Sequence, residues 1–216
     1  MGLSTMLQGL RRGGGGTQEV TIGASRQGAL HVAPLHLSHA ELSRQGVGWS
    51  AMNTSALAAL VVRPSTVANF TLFNNEPEGG LSYVMDRAFA FNLVSTAAEG
   101  RYGLWLCVHK KGLVSPTNDI TVRASHRGRA NYGGSSICDT AMTVTDDGWF
   151  PYGQTSDVEP TGVLPGGIVT VDLFGRLIVP PQCGISTQVV AAVTGETFTS
   201  GFAWFEMQLD LDVVAL

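Results

Sequence analysis

The chain has 216 residues, 44% of them hydrophobic and only 14% charged, with 27 glycines and a formal charge of −4 from 13 basic and 17 acidic side chains. That length suffices for one large domain with a real core, and the acidic balance leaves no global footprint for wrapping nucleic acid. The isolated Cys107, Cys138 and Cys183 argue against a secreted disulfide scaffold, and no apolar run reaches the ~18 residues of a membrane helix.

Leu3, Met6, Leu7 and Leu10 recur at the spacing of one helical face, Arg11 and Arg12 follow, and then comes the run Gly13 to Gly16. A helix shorter than ~12 residues is marginal alone, so this stripe orders only against another surface. The glycines tether it flexibly. This predicts an N-terminal arm over residues 1–16 and a β-domain over 17–216. The glycine run is no phosphate cradle, because that loop ends in Gly-Lys-Ser/Thr where this chain has Gly16-Thr17-Gln18.

Residues 25–53 are polar and irregular. Strand patterns then follow at 56–62 and 67–73, parted by Pro64, and Asn74 to Gly80 is dense in turn formers. Further strands are expected at 81–85, 87–94, 103–109, 119–123 and 141–145, and again at 167–173, 175–181, 187–193 and 201–212. In the last run Ala203, Phe205, Met207, Leu209 and Leu211 are apolar while Glu206, Gln208, Asp210 and Asp212 are polar, which predicts odd positions facing the core. About eight to ten strands so spaced describe an antiparallel sandwich or barrel. No helical pattern long enough for a parallel crossover is present, which argues against doubly wound and TIM-type enzymes.

Chemistry-bearing signals are sparse. His31, His36 and His39 cluster, but no further ligands complete a tetrahedral zinc set. There is no nucleophile elbow, no His-Glu-x-x-His and no Cys-x-x-Cys; Gly134 to Asp139 holds serines and a cysteine without an adjacent base, and only His109 or His126, brought near by the fold, could serve as one. The expectation is a non-enzyme with no catalytic residue, metal or cofactor. Arg123 to Arg129 and Lys110-Lys111 are basic, but stacking aromatics are missing apart from Tyr132, so no direct nucleic-acid contact is expected. Asp146 to Gly153 places Trp149, Phe150 and Tyr152 in a Pro- and Gly-bearing loop, suited to sealing a subunit interface or stacking on a sugar.

The Pro180-Pro181-Gln-Cys-Gly184 turn, Val189-Val-Ala-Ala-Val193, Thr194-Gly195 and the closing Phe202-Ala-Trp-Phe-Glu206 resemble the C-terminal half of jelly-roll virion proteins of tailed bacteriophages. The segment Leu177-Ile-Val-Pro-Pro181 is similar to the family motif that enters a strand packed on the final one. The resemblance covers about the last sixty residues. It implies an all-β, antiparallel jelly-roll-like sandwich that forms a homo-oligomer, commonly a trimer, and sits in the virion after assembly in the host cytoplasm. The function implied is capsid decoration or cement, binding the major capsid protein or other virion proteins. The alternative is a tail or head-fibre protein that grips a host receptor or glycan. Interface residues expected on this reading are Leu3, Met6, Leu7 and Leu10 in the arm, with Trp149, Phe150 and Tyr152 in the aromatic loop.

Overall fold

The computed structural model describes residues 39–94, 100–114, 116–117, 120–125, 134–145, 147–157 and 167–209. The chain divides into two units, 1–41 and 42–216. The predicted arm, with Leu3, Met6, Leu7 and Leu10, lies outside the described residues.

After a short helix, α1 (Ala40–Gln45), the second unit is all-β. Its strands are β1 (Gly48–Met52), β2 (Leu57–Ala58), β3 (Phe70–Asn74), β4 (Ser82–Val94), β5 (Gly100–His109), β6 (Arg123–Ala124), β7 (Ser136–Thr140), β8 (Phe150–Asp157), β9 (Ile168–Asp172), β10 (Ile178–Val179), β11 (Gly184–Ala191) and β12 (Thr197–Met207). They form two antiparallel sheets. The seven-stranded sheet runs β10-β4-β12-β1-β6, with β9 also on β4 and β2 also on β12, and the five-stranded sheet runs β7-β3-β11-β5-β8.

The sheets face each other across a core of inward side chains. From the first sheet come Tyr83, Met85, Ala88, Ala90, Phe198, Phe202 and Trp204, and from the second Phe70, Leu72, Leu104, Leu106, Ile185 and Val189, all fully or almost fully buried. Phe70 meets Phe202 edge-on at 5.8 Å and Tyr102 meets Phe198 at 4.9 Å, so aromatic contacts lock one sheet to the other. A buried hydroxyl pair, Thr187 Oγ1 and Ser200 Oγ at 2.8 Å, spans the same gap and leaves neither group unpaired. None of the three cysteines is in a disulfide, and Cys107 and Cys138 are buried.

Several expected strands are displaced, each for a local reason. The strand expected at 141–145 lies at 136–140, where Ser136, Cys138 and Asp139 are buried and Ile137 and Thr140 are partly exposed. Ala141 ends it with a φ of 52°, a left-handed conformation that breaks extended pairing. Of the described residues 120–123 only Arg123 joins a strand, although Ile120 and Val122 are buried in the core. Of 56–62, Leu57–Ala58 pairs with β12 and Leu60 makes a single bridge to Val190. The two patterns at 81–85 and 87–94 are one long strand, and its register against β12 slips between Trp204↔Met85 and Ala203↔Arg87, leaving Asp86 as an extra residue.

The last strand reverses the sequence expectation. Its even positions Phe198, Phe202 and Trp204 join the core between the sheets and Ser200 is sealed beside them, while of the odd apolar set Phe205 is buried outside that cluster and Ala203 and Met207 are only half-buried. Being a central strand, β12 has apolar residues on both faces, and the bulkier set wins the interior. Glu206 therefore falls on the side of Trp204, opposite the fully buried Tyr83.

That placement makes Glu206 titrate abnormally. Burial pushes its carboxyl up from 4.5 to about 7, with repulsion from Glu76 adding to the effect. The folded chain thus holds a proton that the unfolded chain has lost. Stability is complete below about pH 4.5, falls as pH rises towards 7, and stays reduced above it. Glu206→Gln keeps the shape without the charge. After discounting for the exposed part of the side chain, it should be more stable than the parent by about 1–2 kcal/mol at pH 8 and equal to it near pH 4 in urea titrations. An equal difference at both pH values would refute the assignment.

Candidate functional site

A cleft of about 830 Å³ opens on the outer face of the five-stranded sheet, walled by β5, β8 and the end of β11. On β5 the residues Arg101, Gly103 and Trp105 alternate with the core residues Tyr102, Leu104 and Leu106, so all three share the outward face. Val190 and Ala192 close one side, and Pro151, Tyr152 and Gln154 of β8 close the other.

The β5–β8 ladder sets the aim of Tyr152. Leu104 pairs with Gly153 and Trp105 with Pro151, which leaves Tyr152 as an extra, unpaired residue of β8. Such a bulge bends the strand and redirects the side chain it carries. Here it places Tyr152 in the cleft wall, 38% exposed.

The floor is Gly103. A Cβ there would make only ordinary contacts, 3.5 Å from the Gly153 carbonyl oxygen, 3.7 Å from Trp105 Nε1 and 4.0 Å from Gln154 Cβ. Neither crowding nor a left-handed backbone requires glycine at this position. Its missing side chain simply deepens the cleft between Arg101 and Trp105. Trp105 also packs partly against the buried group of Ala68, Cys107, Val114, Val144 and Trp149, which anchors its ring.

Deeper on the same face lies a sealed polar chain. His109 Nε2 is 2.7 Å from Ser186 Oγ, which is 2.8 Å from Thr71 Oγ1, and Cys107 Sγ is 3.7 Å from His109 Nδ1. Trp149 covers the imidazole edge-on at 6.2 Å. A thiol, an imidazole and a hydroxyl at these distances have the composition of a nucleophile and its base. All four are buried, with exposures of 0% or 1%. Their work is to tie β5, β11 and β3 together under the loop that carries Trp149.

The aromatic segment expected at 146–153 is split by the fold. Trp149 is 2% exposed and belongs to the core beneath its own loop, whereas Phe150 opens β8 and is 68% exposed. The loop thus ends four residues earlier than its Pro and Gly content predicts, because Pro151 and Gly153 are accommodated in an edge strand. Of the three aromatics, only Phe150 and Tyr152 meet solvent. His31 and His36 lie outside the described residues, and no group of three or more His, Cys, Asp or Glu side chains able to hold a metal occurs among the described ones. Lys111 of the Lys110-Lys111 pair contacts Glu78, whose carboxyl is held below its ordinary value by that hydrogen bond and charge. Gly103 and Trp105 fall in the strand expected at 103–109, which Arg101 precedes, and nothing in the sequence marks the three as a site: the bulge that brings Tyr152 beside them depends on β5–β8 register. Comparison with protein-family models, with curated proteins and with solved structures gives no match to this chain.

Proposed function

We propose that the protein is a structural virion protein, a decoration or cement protein that binds and stabilises the capsid of a tailed bacteriophage. The observation that carries this reading is the strand order. Taking β1, β3, β4, β5, β8, β9 with β10, β11 and β12 as eight successive strands, the sheets run first-eighth-third-sixth and second-seventh-fourth-fifth. With β2, β6 and β7 set aside, that order supports a jelly-roll reading, an architecture used by capsid proteins, lectins and cupins. It agrees with the resemblance carried by Pro180 to Gly184 and Phe202 to Glu206.

A second feature supports a role based on contact area. On the outer face of the seven-stranded sheet, Phe89 and Phe91 lie edge-to-face at 5.5 Å, with Ile168 registered beside Phe91 and Met52 reached through Gly201 beside Phe89. Ile168 and Met52 are about half exposed. An apolar band on a sheet face suits docking against another copy or a neighbouring subunit. In this mechanism sandwiches associate, as trimers in the family resembled, and arms over residues 1–16 add small patches through Leu3, Met6, Leu7 and Leu10. Tethering makes each added contact intramolecular, so weak patches sum to firm attachment.

The test is made on purified particles. Quantitative mass spectrometry should find the protein at tens to hundreds of copies per particle, and removal of residues 1–16 should strip it from capsids or lower their resistance to heat. A handful of copies, or full retention without the arm, would overturn the reading.

A further inference from the structure

We infer that the cleft over Gly103 is a saccharide-binding site, and that it favours sugars bearing a carboxylate. The inference does not depend on where in a particle the protein sits. It stands on four features of the lining. Trp105 and Tyr152 present aromatic surface from opposite strands, and sugar rings pack their C–H faces on such surfaces while aligning hydroxyls with polar neighbours. Arg101 and Gln154 add planar groups that make paired hydrogen bonds, the guanidinium with five donors and the carboxamide with both donor and acceptor character. The Gly153 carbonyl oxygen lies 3.5 Å from where a Cβ of Gly103 would stand, so backbone rather than side chain borders the floor. No described lining residue is a carboxylate, so Arg101 is the charge that selects, and a bidentate guanidinium–carboxylate pair is the strongest contact it can make.

The site is also built rather than incidental. The bulge at Tyr152 exists only because β8 carries one residue more than β5 between two paired positions, and its effect is to turn a tyrosine into the cleft. Gly103 is glycine without steric need, which keeps the floor deep enough for a ring. Trp105 is held from behind by the second buried cluster, so little side-chain freedom is lost on binding. A pocket mixing apolar walls with a few convergent polar groups is the usual form of a small-ligand site. Proline-rich peptides also dock on aromatic grooves, but they make little use of a flanking guanidinium, and the paired planar groups here favour a polyol.

The experiment titrates the full chain with oligomers of glucuronic acid and, in parallel, oligomers of glucose of the same length, read by tryptophan fluorescence and by saturation-transfer NMR. Binding is expected at a Kd of about 1 mM or tighter, with the glucuronic series stronger. Tyr152→Ala and Gly103→Val should each weaken it about tenfold, the first by removing a wall and the second by filling the floor. Arg101→Gln should abolish the preference for the acidic series while keeping the neutral one. Circular dichroism and thermal melting verify that each variant is folded, and Gln154→Ala on the cleft rim replaces any that is not. No binding of either series at about 10 mM, equal affinity in all variants, or binding of a Pro-x-x-Pro peptide in place of the sugars would overturn the inference. Capsid attachment is scored separately: a Tyr152→Ala chain that still decorates particles leaves the virion reading intact.

Discussion

Trp204→Ala should lower the stability of the protein by about 3–5 kcal/mol, seen as a leftward shift of the urea midpoint with an unchanged slope. Trp204 is 1% exposed at the centre of the seven-stranded sheet, registered against Trp49 on β1 and Met85 on β4. It also packs on Tyr83 with ring centroids 6.1 Å apart. Removing the indole leaves a void that two flanking strands and the opposite sheet cannot all collapse into, so the transfer loss and the cavity loss add. Trp204→Phe supplies the control. The indole N–H has no hydrogen-bond partner, so phenylalanine gives up ring volume but also relieves a buried orphan donor. Its loss should stay below about 1.5 kcal/mol. A Trp204→Ala chain within about 1 kcal/mol of the parent would mean that the core is not centred on β12.

That residue also shows what the sequence could and could not tell. The closing strand was legible as a strand because its polarity alternates, and so were β4, β5, β9 and β11, each a run of β-branched and aromatic residues between turn formers. Which face of β12 is interior was not legible. Alternation marks two faces, but Phe205 and Met207 make the odd face apolar as well, and only the partner strands decide which one meets the opposite sheet. Glu206 follows from that decision: read as a solvated position, it sits beside the core and holds its proton. The short strands β2, β6 and β10 were blurred for a different reason. Each contributes two residues to a ladder, fewer than one period of any pattern.

The cleft was legible only in part, and for the same physical reason. Gly103 and Trp105 share a face by the period of two inside the strand expected at 103–109, whereas Arg101 joins them only because β5 begins at Gly100, ahead of the apolar run that marks it. Tyr152 joins them through one extra residue in the neighbouring strand, a matter of pairing between segments about fifty positions apart. Trp149 was misplaced in the opposite sense: a tryptophan between Gly148 and Phe150 looks exposed, yet the outer face of the five-stranded sheet holds a second apolar group that it completes. Long-range pairing carries the functional information that local pattern omits.

Gly201→Val is expected to be the most damaging single substitution in β12, and it separates two kinds of glycine. Gly201 pairs with Met52 across the β1–β12 ladder and with Phe89 across β12–β4. A Cβ at position 201 would stand 2.1 Å from the Ala51 carbonyl oxygen and 2.7 Å from Met52 Cα, both backbone atoms. No rotamer change relieves such an overlap, so β1 itself must move away. Moving it opens the register from Gly48↔Phe205 to Met52↔Gly201 and pulls Trp49 and Ala51 off the core. It also breaks the reciprocal clasp in which the Asn53 N–H donates to the Ser200 carbonyl and the Ser200 N–H donates to Asn53 Oδ1. The summed loss should exceed about 4 kcal/mol, the range reached only when backbone clash and core disruption coincide. Hydrogen exchange gives a readout if the valine chain is insoluble, since Gly201→Ala should already expose the amides of β1 while those of β11 and β5 stay protected. Gly103→Val, whose Cβ would meet no atom closer than 3.5 Å and whose methyl groups enter the open cleft, should by contrast melt within a few degrees of the parent. If the two valine variants were equally stable, the close approach of β1 to β12 would be wrong, and with it the placement of the first strand at the eighth that defines the order of the sandwich.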